Sequence, residues 1–312
     1  MTVSADGILT AVGLGTTEVV AVSVAEPSVE GRVSITVVDS SVPSPAPWTY
    51  GIVTTGSFLV SGSSLIETRV WAGGDVDVGG SSAIADGVDV WAGGSCRVGS
   101  LTCQEGVEPP QLEPVDWDAV RDAVVDHYLV GDAPSVCDVL YEGSVSLVDA
   151  GDTVICLEPG ASLALHGDMT GVIVLGDATT SVVTHGNARP SANRGGLGIA
   201  IVAGAVELRG RDSRLTGVTT VVAAENVTVE ASLGAASGHV EVAIVALGDV
   251  SVTQTPVQSR AIIRAGGAVT VRGGGGVGTF SGSVLADGGG IDVNAGLVFE
   301  RPTFTHFLSE WR

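Results

Sequence analysis

Lysine is absent from this chain: all 14 basic residues are arginine, set against 35 Asp and Glu, for a formal net charge of −21. Such an acidic balance repels phosphate backbones at long range and excludes general nucleic-acid binding. Arg209, Arg211 and Arg214 form the one tight basic cluster and are expected on a solvated edge. Aromatic residues make up only 4% of the chain. No run approaches the roughly 18–20 uninterrupted apolar residues of a membrane helix. No Cys-x-x-Cys pair occurs, which removes the usual structural zinc site. The histidines, His127, His166, His185, His239 and His306, show no ligand spacing and are read as surface or loop residues. Gly273-Gly274-Gly275-Gly276 lacks the Lys-Ser/Thr ending of a phosphate loop. The 45 glycines lack the every-third spacing of collagen.

What the chain does have is a recurring phrase: two apolar residues, a small Gly-rich corner, then apolar–polar–apolar. Val70-Trp71-Ala72-Gly73-Gly74-Asp75-Val76-Asp77-Val78 and Val90-Trp91-Ala92-Gly93-Gly94-Ser95-Cys96-Arg97-Val98 are two copies. Ile244-Val245-Ala246-Leu247-Gly248-Asp249-Val250-Ser251-Val252 and Ile263-Arg264-Ala265-Gly266-Gly267-Ala268-Val269-Thr270-Val271 are two more. The triplets begin at 58, 76 and 96, then at 206, 227, 250, 269 and 291, so the spacings are 18 and 20, then 21, 23, 19 and 22. A unit that short cannot enclose a core alone; copies must stack. The expected fold is all-β, a parallel β-helix or β-solenoid with coils of about 20 residues. Some ten coils at about 4.8 Å would give a rod roughly 50 Å long.

Around the coils the chain divides into five parts. Residues 1–42 read as a small antiparallel strand element, and the Pro-spaced segment Val42–Pro47 leads into a first solenoid block, 43–108. A Pro-rich break and an amphipathic helix fill 109–131, with Asp116 as cap and Trp117, Val120, Val124 and Tyr128 on one face. A second solenoid block covers 132–298. The aromatic tail 299–312, with Phe299, Phe304, Phe307 and Trp311, is expected to plug a solenoid end.

The two strands of each phrase differ on their outer sides. The second presents Asp77, Arg97, Glu207, Thr228, Ser251, Thr270 and Asp292, a wet face. The first presents Val53, Trp71, Trp91, Val202, Val222, Val245, Arg264 and Leu285, an apolar stripe that needs a cover. The helix, the amino-terminal strands or a partner would serve, and intramolecular cover is the simplest. A partner or ligand that did bind there would meet Val53, Trp71 and Trp91. Cys96/Cys103 and Cys137/Cys156 lie close enough to close loops as disulfides of an extracellular protein, or remain as buried thiols. No column gathers carboxylates, so no catalytic residue, metal or cofactor is expected, and a polysaccharide lyase or hydrolase is the weakest reading.

The order of parts resembles a known family. Pro47-Trp48-Thr49-Tyr50-Gly51-Ile52-Val53, then Gly56-Ser57-Phe58-Leu59-Val60-Ser61-Gly62 and repeated Trp-Ala-Gly-Gly units, are similar to bacterial type IV pilus-assembly proteins of the PilX kind. So is the sequel: a Pro-rich break, Val115-Asp116-Trp117-Asp118-Ala119-Val120-Arg121, and a longer block of Gly-Asp-Val-Ser-Val repeats. The resemblance covers about residues 45–300. It implies an exported, cell-surface or extracellular β-solenoid, a minor pilus component or tip adhesin, with pilus subunits or a surface carbohydrate as partner. Members begin with a hydrophobic anchoring helix, which Met1-Thr2-Val3-Ser4 does not open, so the chain is expected to be a fragment or an unusual gene product. The amino-terminal strands are also similar to the end of a bacterial immunoglobulin-like domain. The competing class is a self-assembling structural protein, a bactofilin-like polymer or an extracellular sheath subunit.

Overall fold

A computed structural model describes residues 2–3, 9–10, 15–22, 30–37, 51–99, 103–108, 112, 114–128, 137–167, 169–185, 199–210, 214–215, 219–233, 242–254, 258–273 and 278–300. Two compact units emerge, Met1–Pro45 and Ala46–Arg312. In the first, Gly15–Val22 pairs antiparallel with Glu30–Val37, and Thr2–Val3 with Leu9–Thr10.

The second unit is a parallel β-solenoid. One face is a sheet of eleven strands, called here the exposed sheet; the other faces merge into a sheet of seventeen. Alternation explains the exposed sheet. In Val227–Val229, Val250–Val252, Val269–Val271 and Ile291–Val293 the flanking residues are buried and the middle residue points outward. Period-two apolar spacing thus places one β-branched pair per coil inside, each side chain contributing roughly 1.5–3 kcal/mol on burial. At the corners before Val227 and Val250 an acceptor side chain reaches along the stack to the next coil, whereas Ala268 and Gly290 hold the next two corners. Asn226 Oδ1 accepts from the Asp249 N–H at 2.7 Å, and Asp249 Oδ1 from the Ala268 N–H at 2.8 Å. Farther along, Ser57 Oγ accepts from the Asp75 N–H at 3.1 Å, and Asp75 Oδ1 from the Ser95 N–H at 2.7 Å. This ladder explains the glycine two residues before the second strand of the phrase, whereas a β-carbon at Gly93 or Gly266 would meet the backbone carbonyl of Gly73 or Leu247. A β-carbon at Gly267 would collide with Asp249 Oδ1, and one at Gly94 with Asp75 Oδ1.

The stack does not follow chain order. From one end, the exposed sheet runs Ser144–Val148, Ser162–His166, Ser181–Thr184, Ala205–Leu208, Val227–Val229, Val250–Gln254, Val269–Gly273, Ile291–Ala295, then Phe58–Gly62, Val76–Val78 and Cys96–Arg97. The amino-terminal block therefore sits on the last coil of the carboxy-terminal block. Ile291 pairs with Phe58 and Val284 with Ile52. Leu297–Glu300 pairs on one side with Gly278–Ala286 and on the other with Leu65–Ile66. Phe299 is accordingly buried in mid-stack, with its ring centroid 5.5 Å from that of Phe280. Its expected place in an end plug is corrected: the terminal coil is an internal layer, so its aromatic fills the core. Phe304, Phe307 and Trp311 lie outside the described residues.

The helix is Trp117–Tyr128, capped by Asp116, whose Oδ1 accepts from the Ala119 N–H at 3.1 Å. It packs on Ile199–Ala203 and Thr219–Ala223 of the apolar stripe, burying Val120, Val124 and Tyr128. The Tyr128 hydroxyl lies 2.9 Å from Thr220 Oγ1, and burial pushes its pKa up to about 12.

Candidate recognition face

With the apolar stripe covered, the exposed sheet is the broad solvent-facing surface among the described residues. Its outward rows divide into two zones. The middle row of the first seven coils reads Ser146, Ala164, Val183, Glu207, Thr228, Ser251 and Thr270. Six of these seven are small and neutral, and Glu207 is tied to Arg209 by an ion pair. Beside this row stand Ser144, Ser162 and Ser181 in successive coils. The Ser162 hydroxyl donates to Ser144 Oγ at 2.8 Å. From the last carboxy-terminal coil onward the row reads Asp292, Leu59, Asp77, Arg97, charged except at Leu59. Asp77 lies 3.8 Å from Arg97 in an exposed pair of small energetic worth.

Thr228, Ser251 and Thr270 occupy three consecutive coils in register. Strand pairing fixes their separation at about 4.7–4.9 Å per step. Each hydroxyl both donates and accepts, and the Thr side chains are stiff about χ1. The result is a rigid row of hydroxyls and methyls on a sheet whose backbone hydrogen bonds are already made.

One row over, His166 and His185 stack face to face, centroids 4.1 Å apart and planes within 5°. His185 is held below the ordinary histidine range by desolvation, then by the charges of His166 and Arg209, with Glu207 opposing. Asp75, in the corner ladder, is held below the usual carboxylate range by the Ser95 N–H and hydroxyl.

The residues singled out from sequence fall as follows. Val53, Trp71 and Trp91 are 0%, 2% and 3% exposed, and the two indoles pack 5.7 Å apart. A partner or ligand meeting these three residues would first have to displace what covers them. Cys96 is bonded to Cys103 and Cys137 to Cys156. The first bridge closes the end coil, where Glu105 Oε1 also accepts from the Cys96 N–H at 2.9 Å, blunting the sheet edge. No group of three or more metal-ligating side chains occurs among the described residues. The sequence places 144–184 inside the second solenoid block without marking the individual strands at 144–148, 162–166 and 181–184 or the His166–His185 stack. Apolar alternation at Val145/Leu147, Leu163/Leu165 and Val182/Thr184 was the signal that would have found them.

No family model matches the chain, and no curated protein matches it. Solved structures of ice-binding proteins align with it. One, from the Antarctic ascomycete Antarctomyces psychrotrophicus, is 11% identical with a TM-score of 0.33, over 82% of this chain and 95% of that one. The DUF3494 domain of Shewanella frigidimarina ice-binding protein 1 is 13% identical with a TM-score of 0.30, over 82% and 95%. An ice-binding protein from an Arctic yeast is 13% identical with a TM-score of 0.31, over 82% and 92%. At these scores the alignments carry no argument about this chain's ligand. They do correct the pilus reading: no PilX-type family model matches, and the proteins named here are ice-binding proteins rather than pilus components. The resemblance rested on an order of parts, coil block, Pro-rich break, helix and longer coil block, whose repeats are of low complexity. The tip-adhesin function and pilus subunits as partners are withdrawn with it.

Proposed function

We propose that this chain is a non-enzymatic, secreted ice-binding protein that meets the crystal with the neutral zone of its exposed sheet. The observation that carries the reading is the in-register row Thr228, Ser251, Thr270; Ser146, Ala164 and Val183 lie on the same face beyond the Glu207–Arg209 ion pair. A crystal surface repeats at a fixed short interval, and a parallel solenoid is a protein surface that does the same. The side chains are held by the strand ladder before contact, so little freedom is lost on binding. Charged side chains keep their own hydration and interrupt such a match, which favours the neutral zone over the rows beyond Asp292. The two disulfides support an oxidising, extracellular location.

The test is thermal hysteresis and retention of the labelled protein on a growing ice crystal. Wild type is expected to depress the freezing point below the melting point and to adsorb. Ser251→Tyr, a bulky group in the centre of the row, is expected to abolish both while leaving the far-ultraviolet spectrum and melting temperature unchanged. Leu59→Tyr in the charged zone is expected to have little effect. A folded wild type without hysteresis or adsorption contradicts the reading, and so does a fully active Ser251→Tyr.

A further inference from the structure

His166 and His185 stand in the same row of successive coils, and register pairing places them side by side although 19 residues separate them. Parallel rings at 4.1 Å are favourable when both are neutral, and tolerable when one is cationic and the other offers its π-face. Two cationic rings at that distance repel. The surroundings sharpen the conflict. Arg209 continues the row past His185 and is itself bound to Glu207, so the guanidinium offsets the pull of that carboxylate on an imidazolium. On the other side, Val148 precedes His166 in the row and offers no charge. Asp149, next to it, donates its backbone N–H to the His166 carbonyl at 3.0 Å.

We propose that His166 and His185 form a proton-sensitive clasp between the second and third coils of the exposed sheet, closed while at least one ring is neutral and opened when both are charged. The clasp lies at the end of the stack bounded by Ser144–Val148, where a single neighbouring coil supports each edge strand. Opening would loosen that end first, because end coils have the fewest interfaces to hold them. This goes beyond ice binding and does not depend on it.

The sign follows from His185. Its folded-state pKa lies below the unfolded value, so the folded state takes up fewer protons between the two. The stability contributed by the neutral ring is fully present above the unfolded pKa, about 6.5. It is lost as pH falls through the folded value. The experiment is a proton titration of the His185 ring by NMR on the full chain, with backbone amide exchange, corrected for intrinsic rate, in Ser162–His166 and Ser181–Thr184. His166→Gln is expected to move the His185 midpoint upward. In wild type, exchange in those strands is expected to quicken at least about threefold between roughly pH 7.5 and pH 5, and this change is expected to vanish in His166→Gln. Exchange in Val269–Gly273 serves as the internal reference. If the His166→Gln fold is impaired, His185→Gln supplies the same comparison of exchange. A His185 midpoint indifferent to His166→Gln, or an equal pH response in both proteins, overturns the clasp.

Discussion

Ser64 donates its buried hydroxyl proton to the Ala295 carbonyl at 2.7 Å, across 231 residues of sequence. The same oxygen accepts from the Leu297 N–H at 3.3 Å. One side chain thus satisfies two backbone groups at the seam where the amino-terminal coils meet the last carboxy-terminal coil. A seam so distant in sequence makes the fold rich in non-local contacts, the regime of slow folding.

Ser64→Ala is therefore expected to destabilise the solenoid by about 1–3 kcal/mol, because it leaves a buried carbonyl and a buried N–H without this partner. Chemical denaturation reads the loss. Ser82→Ala is expected to cost less, since Ser82 Oγ accepts from one backbone group among the described residues, the Ser64 N–H at 3.0 Å.

The corner ladder predicts a coupled pair. Gly267→Ala drives a methyl group into Asp249 Oδ1 and is expected to cost about 1–3 kcal/mol. Asp249→Ala removes the collision together with the acceptor of the Ala268 N–H. The double variant is then expected to be more stable than the sum of the two single losses, by about 0.5 kcal/mol or more in a denaturation cycle. Strict additivity would show that the glycine is not there to admit the carboxylate.

Arg264 interrupts the covered apolar column and donates to Asp287 at 3.0 Å, with side chains 4% and 11% exposed. Burial pushes the Asp287 carboxyl up, and Arg264 opposes it. Arg264→Leu matches the column but strands a carboxylate, at a cost of roughly 3–5 kcal/mol near neutral pH. The sign is that of a raised carboxyl: the variant should recover stability on acidification and lose it as pH rises through the folded pKa. Adding Asp287→Asn is expected to flatten that dependence. Melting temperature against pH for the two variants checks it.

The coil phrase was legible because its glycines, its Asp and its valines each answer a local demand: room for an acceptor, the acceptor itself, and an inward pair. Helix 117–128 was legible from Asp116 and the spacing of Val120, Val124 and Tyr128. The stack order was not. Every coil presents nearly the same inward pair, so Val76/Val78 would fit on Val269/Val271 as well as on Phe58/Val60. What selects the seam is distributed over Ser64, Phe299 and Ile66, and no pattern along the chain links them. The neutral zone was half seen. Ser251 and Thr270 lie beside glycine corners and Thr228 beside Glu225-Asn226, whereas Ser146, Ala164 and Val183 follow different turns at Gly143, Gly160 and Asp177.

The extent of the recognition face depends on the order of the coils, and a cross-link reads that order directly. Ser61 and Asn294 are exposed register partners at the seam, whereas Arg97 and Ser146 belong to opposite ends of the sheet. Paired strands hold partners about 4.8 Å apart, within disulfide reach. Ser61→Cys/Asn294→Cys should oxidise to an intramolecular bridge, seen by mass spectrometry as one linked peptide, while Arg97→Cys/Ser146→Cys should stay reduced. A bridge between 97 and 146, with none between 61 and 294, would mean that the coils stack in chain order and would contradict the fold described here.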